Sequence, residues 1–224
     1  MDSGFIVINK PAGPTSHNIV DRMRKITGIK KIGHAGTLDP FAEGVLILAV
    51  GRGATKQIDR LVKTKKKYIA DIRLGAVTDT YDRTGQIVEE KETAPPSKEE
   101  VKKVLNGFQG EQEQLPPMYS AKKVKGKKLY ELARQGKEVE RKTVTINIYS
   151  IELLKYEFPD LRIKVQCSSG TYLRTLAYDI GRELDCGAYL QELQRTAVGG
   201  YKLKSAINIE KITSDNWTKY LINR

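Results

Sequence analysis

Apolar residues along this chain fall into short blocks, some with a period of two and some with a helical period, separated by glycine and proline. Residues 5–9 read as a first strand. Thr15 or Ser16 is placed to cap a helix whose stripe is Ile19, Val20, Met23 and Ile26, and Gly28 ends it. Residues 44–50 form an unbroken, strand-like apolar run. Residues 67–74 alternate, so that Tyr68, Ala70, Ile72 and Leu74 share one face. A short strand is expected at 86–90, after a turn at 82–85. Residues 97–100 form a capping box, with Val101, Val104, Leu105 and Phe108 as the helix stripe behind it. Residues 143–156 and 161–167 read as two long strands joined by a turn at Pro159 and Asp160. Helices are expected at 172–184 and, shorter, at 214–223. Many strands with interspersed helices and no clean βαβ repeat predict an α+β sheet with helices gathered on one side. The stretch 89–98, with Pro95 and Pro96, reads as an inserted loop rather than a domain boundary.

Composition adds a partner to this outline. The 224 residues include 39 Lys and Arg against 27 Asp and Glu, a net charge of +12. Such a balance points to a polyanion, and to nucleic acid rather than a membrane, because no apolar stretch approaches a bilayer's thickness. The N-terminus lacks the apolar core of a secretion signal, so a reducing cytoplasm is the expected compartment. Cys167 and Cys186 have no metal-like spacing, and His17 and His34 are too scattered for a zinc site, so neither metal nor disulfide is expected. The glycines and lysine of 51–56 lack the spacing of a phosphate-binding loop. Two basic clusters stand out: Lys63, Lys65, Lys66 and Lys67, followed by Tyr68, and Lys122, Lys123, Lys125, Lys127 and Lys128, flanked by Tyr119 and Tyr130. Lysines suit phosphates and aromatic faces suit bases, which tilts the partner toward RNA.

The candidate chemistry sits in Gly33-His34-Ala35-Gly36-Thr37-Leu38-Asp39-Pro40. A lone carboxylate lies in a glycine-rich loop, with no Ser, Cys or second acid beside it. Gly33 and Gly36 permit a sharp turn and close approach of a ligand, while Pro40 pushes Asp39 toward an extended conformation. Asp39 presented this way can serve as nucleophile or base, or simply end a turn. Far along the chain, residues 167–176 have the form of a strand, a tight turn and a helix start that carries Arg174 in its first turn. An arginine there can pair with Asp39 across a cleft.

These segments resemble the TruB-type tRNA pseudouridine synthases. The 33–40 loop, with Ala42 and Gly44, is similar to their signature loop; residues 9–16 to their N-terminal motif; Lys67-Tyr68 to the segment of their active-site tyrosine; residues 114–121 and 126–134 to another long block; and 167–176 to their arginine motif. The resemblance implies the pseudouridine synthase fold, a large, mostly antiparallel mixed sheet flanking an RNA-binding cleft, over residues 1–224, with an inserted region near 76–130. It implies isomerisation of uridine 55 in the tRNA T loop by base flipping, without metal or cofactor. Asp39 would initiate the reaction, Tyr68 would stack on the flipped base, and Arg174 would hold Asp39. His34 would fill the gap left in the loop, Leu193 would wall the pocket, Lys10 would support the Asp39 loop or the RNA, and Gly36 and Tyr172 would line the substrate site. The lysine clusters would grip the T arm. No membrane and no obligate protein partner is implied, and a monomer is expected. Two departures stand beside the resemblance. The chain ends at Arg224, leaving no complete C-terminal domain of the PUA type, and Gln194 stands where many members carry an arginine. The competing readings are an RNA chaperone without chemistry, or the same chemistry on another RNA.

Overall fold

The structure is a computed structural model that describes residues 3–120, 123–124, 126–133, 135–136 and 139–222. It divides into two compact units, residues Met1–Tyr68 with Leu193–Arg224, and Ile69–Glu192. We call them the Asp39 unit and the Arg174 unit.

The Asp39 unit begins with strand β1 (Gly4–Lys10), helix α1 (Ser16–Thr27), and strands β2 (Ile32–His34) and β3 (Glu43–Val50), followed by the short helices α2 (Gly51–Thr55) and α3 (Ile58–Val62). Thr15 caps α1: its side chain accepts from the Asn18 N–H, and the Asn18 side chain accepts from the Thr15 N–H. β1 and β3 pair antiparallel over their whole length, from Gly4 opposite Val50 to Lys10 opposite Gly44. Both strands are apolar on both faces because both faces are covered. Ile6, Ile8, Leu46, Leu48 and Val50 pack on α1 through Ile19, Val20 and Met23, and on Trp217. Phe5, Val7, Val45, Ile47 and Ala49 pack with Ala54, and Ile58, Leu61 and Val62 of α3 join them. Helices therefore lie on both faces of this part of the sheet, a correction to the expectation of one covered side. Leu48 is wholly buried, and its truncation to alanine costs about 2–5 kcal/mol.

Strand β4 (Lys66–Leu74) carries the chain into the Arg174 unit. Tyr68, Ala70, Ile72 and Leu74 are buried, as their alternation predicts. The hairpin β5 (Ala76–Thr78) and β6 (Ile87–Glu90) follows, then α4 (Lys98–Gly107), β7 (Gly110–Gln114), the two-residue strands β8 (Lys123–Val124) and β9 (Lys127–Lys128), and α5 (Leu129–Ala133). Ser97 and Glu100 form the expected capping box of α4. These hairpins and helices are the described part of the region near 76–130. The long strands β10 (Val144–Glu157) and β11 (Asp160–Cys167) pair antiparallel, and β7 adds to the outer edge of β10. Helix α6 (Leu173–Glu183) comes next, and β12 (Ala188–Val198) returns the chain to the Asp39 unit. There β12 pairs parallel with β3, β13 (Tyr201–Lys202) folds back on β12, and β14 (Ile207–Asn208) pairs with β1. The fold is α+β on a mixed, mostly antiparallel sheet, as expected.

Several short elements, among them β2, α2 and α3, go beyond the sequence reading, and three further differences have a clear physical reason. Strand β12 was not expected: its buried positions include Arg195 beside Leu190, Leu193 and Ala197, so the apolar alternation is broken by a cation. Strand β7, Gly-Glu-Gln-Glu-Gln, is polar nearly throughout. The helix expected at 214–223 is a single 3₁₀ turn, Trp217–Tyr220, anchored by buried Trp217 and by the Asn216 side chain accepting from the Thr213 N–H.

Candidate active site

The loop between β2 and β3 holds Asp39, half-buried, and almost every carbonyl of that loop is tied down. Those of Gly36 and Thr37 accept from Nη2 and Nη1 of Arg195, at 3.0 and 3.1 Å. The Leu38 carbonyl accepts from Ser16 Oγ at 3.0 Å, and the Leu38 N–H donates back to the same oxygen at 2.9 Å. The Asp39 carbonyl accepts from the Ala42 N–H, and that of Pro40 from the Gly13 N–H. Lys10 Nζ donates to Ala42 at 2.7 Å, Pro11 at 2.8 Å and Pro40 at 3.2 Å. Gly44 explains why β12 can come so near. Its φ is +106°, and a Cβ there would lie 2.3 Å from the Arg195 carbonyl. Gly36 is also in the left-handed region, at φ +93°.

Lys10 and Arg195 are both buried cations. Burial pushes the Lys10 ammonium down to about 8, only partly offset by attraction to Asp39; the Arg195 charge adds to the fall and Glu43 opposes it. His34 is held below its ordinary value, first by burial and then by Arg195, so at pH 7 it offers a neutral ring. Leu193 and Tyr68 are buried in the same unit. Gln194 donates to Glu43 at 2.6 Å, a pair internal to the unit.

The basic clusters divide. Lys65 and Lys67 are exposed. Lys66 is a correction: it is buried, and its ammonium donates to the carbonyls of Val62 and Thr64, because it occupies an inward position of β4. That bonding takes it away from any phosphate. Lys122 and Lys125 lie outside the described residues, and for Lys123, Lys127 and Lys128 the description covers the backbone alone.

In the Arg174 unit, the tight turn before α6 passes through Gly170 and places Arg174 in the first helical turn, as expected. Arg174 is buried, and so is its partner Asp82, 3.3 Å away. The guanidinium also donates to the carbonyls of Tyr119 at 2.8 Å and Thr80 at 3.3 Å. Asp82 is itself held by the Thr84 N–H at 2.9 Å and by the hydroxyls of Thr80 and Thr84. Gln114 clamps the backbone of Tyr172 twice, donating to its carbonyl at 3.0 Å and accepting from its N–H at 2.8 Å. The block 114–119 and the arginine motif are thus bound into one piece. Sequence reasoning missed the roles of Gln114, Ser16 and Arg195. The signal for Arg195 was present as an arginine alternating with Leu193 and Ala197.

A family model described as TruB family pseudouridylate synthase (N terminal domain) matches residues 24–173, and one described as tRNA pseudouridylate synthase B C-terminal domain matches residues 174–222. The chain belongs to the TruB family of pseudouridylate synthases. It is 51% identical over 205 residues to the tRNA pseudouridine synthase B of Protochlamydia amoebophila, covering 92% of this chain and 78% of that protein. It is 47% identical over 220 residues to that of Clostridium tetani, covering 98% and 76%. Among solved structures, the Cbf5-Nop10-Gar1 complex contains a chain that superposes with a TM-score of 0.74 at 31% identity; the match covers 96% of this chain and 54% of the longer one. No helix among the described residues is long and apolar enough to cross a membrane.

Proposed function

We propose that this chain is a tRNA pseudouridine synthase that isomerises uridine 55 of the T loop. The observation that carries the reading is the Asp39 loop, the family's signature segment, holding a single half-buried carboxylate on a backbone tied at successive carbonyls. Family membership and the relatives' names support the substrate.

The reaction breaks the N1–C1′ bond of uridine, turns the uracil and forms a C5–C1′ bond. The hydrogen on C5 leaves as a proton and N1 takes one up, so the atoms balance without oxidant, reductant or group donor. Asp39 in its ionised form starts the sequence at the extruded nucleotide. Extrusion costs a few kcal/mol. Stacking of the uracil on Tyr68 offsets about 1–3 kcal/mol of that, and the tyrosine hydroxyl serves proton transfer. Neutral His34 takes the place of the missing base, Leu193 walls the pocket, and Lys10 serves by holding the Asp39 loop. Arg174 is the motif arginine, its charge met by Asp82.

RNA as partner is supported by where the charge lies. The Asp39 unit carries 19 Lys and Arg against 7 Asp and Glu, while the Arg174 unit carries 20 against 20. Arg52, Lys56, Arg60, Lys63 and Lys67 are exposed and make no ion pair among the described residues. We infer a monomer acting in the cytoplasm, with tRNA as its partner.

The test uses transcripts of unmodified tRNA whose uridines are tritiated at C5. Wild-type enzyme releases one equivalent of tritium per tRNA, and none from a transcript with cytidine at position 55. Equal release from both transcripts would assign the chemistry to another uridine, and no release from either would leave RNA binding alone.

A further inference from the structure

The geometry points to Arg195 as a positioning residue for Asp39. One guanidinium joins the two ends of the Asp39 loop. Nη2 and Nη1 take the carbonyls of Gly36 and Thr37 just before Leu38-Asp39, and Nε takes the carbonyl of Val45 beyond it at 2.7 Å. Arg195 is 1% exposed. All its named hydrogen bonds go to backbone carbonyls of the loop and of β3, and none to a carboxylate or to another part of the core. A planar fork with several fixed donors meets three carbonyls at once; a lysine ammonium in its place cannot hold them all in that geometry.

The close approach of β12 to β3 brings Arg195 to the loop. Gly44, directly opposite Arg195 in the parallel pairing, leaves room for the Arg195 backbone, and a Cβ at Gly36 would stand 3.8 Å from Nη1. Lys10 takes the middle of the loop, at Pro40 and Ala42, while Arg195 takes its ends. The division of labour matters because reacting groups must be held within a fraction of an ångström; a 1 Å misplacement costs about 100-fold in rate. Gln194, the neighbouring residue, is bonded to Glu43 instead.

The inference rests on the proposed synthase activity, and its test separates the two. Wild type, Arg195→Lys and Arg195→Ala are compared in single-turnover tritium release with enzyme in saturating excess, alongside tRNA affinity and hydrogen exchange of the peptide spanning residues 35–46 without RNA. For Arg195→Lys the rate falls about 100-fold while affinity stays within about threefold. Exchange rises in the 35–46 peptide, and the core peptides of β1 and β10 stay protected. Guanidinium ion at low millimolar concentration restores part of the Arg195→Ala rate and has no effect on Asp39→Asn. An unchanged single-turnover rate in Arg195→Lys overturns the assignment, as does a parallel loss of affinity. Loss of protection across all core peptides also overturns it, since Arg195 would then support the core at large. Failure of the wild type to release tritium counts against the activity, and the exchange measurement still decides the loop.

Discussion

The Asp39 unit and the Arg174 unit have nearly equal numbers of Lys and Arg, 19 and 20, beside very different numbers of Asp and Glu, 7 and 20. In the Arg174 unit many of the exposed cations are met by carboxylates: Arg73 by Asp160, Arg83 by Glu192, Lys91 by Asp185, Arg162 by Asp71, Lys164 by Glu152 and Arg182 by Asp179. Even its buried arginine, Arg174, has Asp82. In the Asp39 unit Arg22 and Arg24 meet Glu210 and Asp21, but Arg52, Arg60 and Lys67 of α2, α3 and β4 make no ion pair among the described residues, and the three buried cations, Lys10, Lys66 and Arg195, donate to backbone carbonyls. Charge neutralised within the protein supports a scaffold, and charge left over is available to a polyanion. Buried charge aimed at carbonyls holds a backbone segment in place.

The comparison breaks first at the buried pair. Asp82→Ala leaves the Arg174 guanidinium buried without its carboxylate, and equilibrium urea unfolding registers a loss of about 3–5 kcal/mol. Arg162→Gln, at an exposed pair of the same unit, costs less than about 1 kcal/mol. Equal costs would remove the distinction between buried and surface pairs. Next in size is Tyr68→Phe, which keeps the stacking face and loses the hydroxyl. Single-turnover tritium release slows about 100-fold with tRNA affinity retained, and an unaffected rate would exclude the hydroxyl from proton transfer.

The uncompensated charge is tested by salt. Replacing Arg60 and Lys63 by glutamine flattens the dependence of log affinity on log salt by about one to two units. The same change at Arg162 and Lys164 leaves the slope alone, and matching slopes for the two double variants would mean that RNA does not distinguish the units. The smallest effect concerns Lys10. Its folded value of about 8 lies below the ordinary 10.5, so the cost of burying its charge is full below pH 8 and fades as pH rises toward 10.5. Wild type gains stability over that window relative to Lys10→Met, measured by urea unfolding at stepped pH; parallel curves would contradict the shift.

Much of this was legible in the chain. Alternation in 67–74, the Thr15 and Ser97 caps and the apolar run of β3 are local signals, and each became the element expected. The segments of Asp39, Tyr68 and Arg174 were legible by resemblance. What stayed hidden depends on long-range pairing. Arg195 reads as a surface arginine until β12 is laid beside Gly44, and Gln114 reads as one polar residue among many until it meets the backbone of Tyr172, 58 positions away. Lys66 reads as one of a run of solvent lysines, because the pleat that turns it inward leaves no mark on composition.

We propose that Asp39 carries out the chemistry on RNA that the rest of the molecule binds and positions. The most direct test is tritium release from tRNA labelled at uridine C5, with wild type and Asp39→Asn compared at equal tRNA occupancy. The account predicts release by wild type, none above background by Asp39→Asn, and affinities for tRNA within a few-fold of each other. Release by Asp39→Asn at a comparable rate, or loss of tRNA binding in step with loss of release, would contradict it.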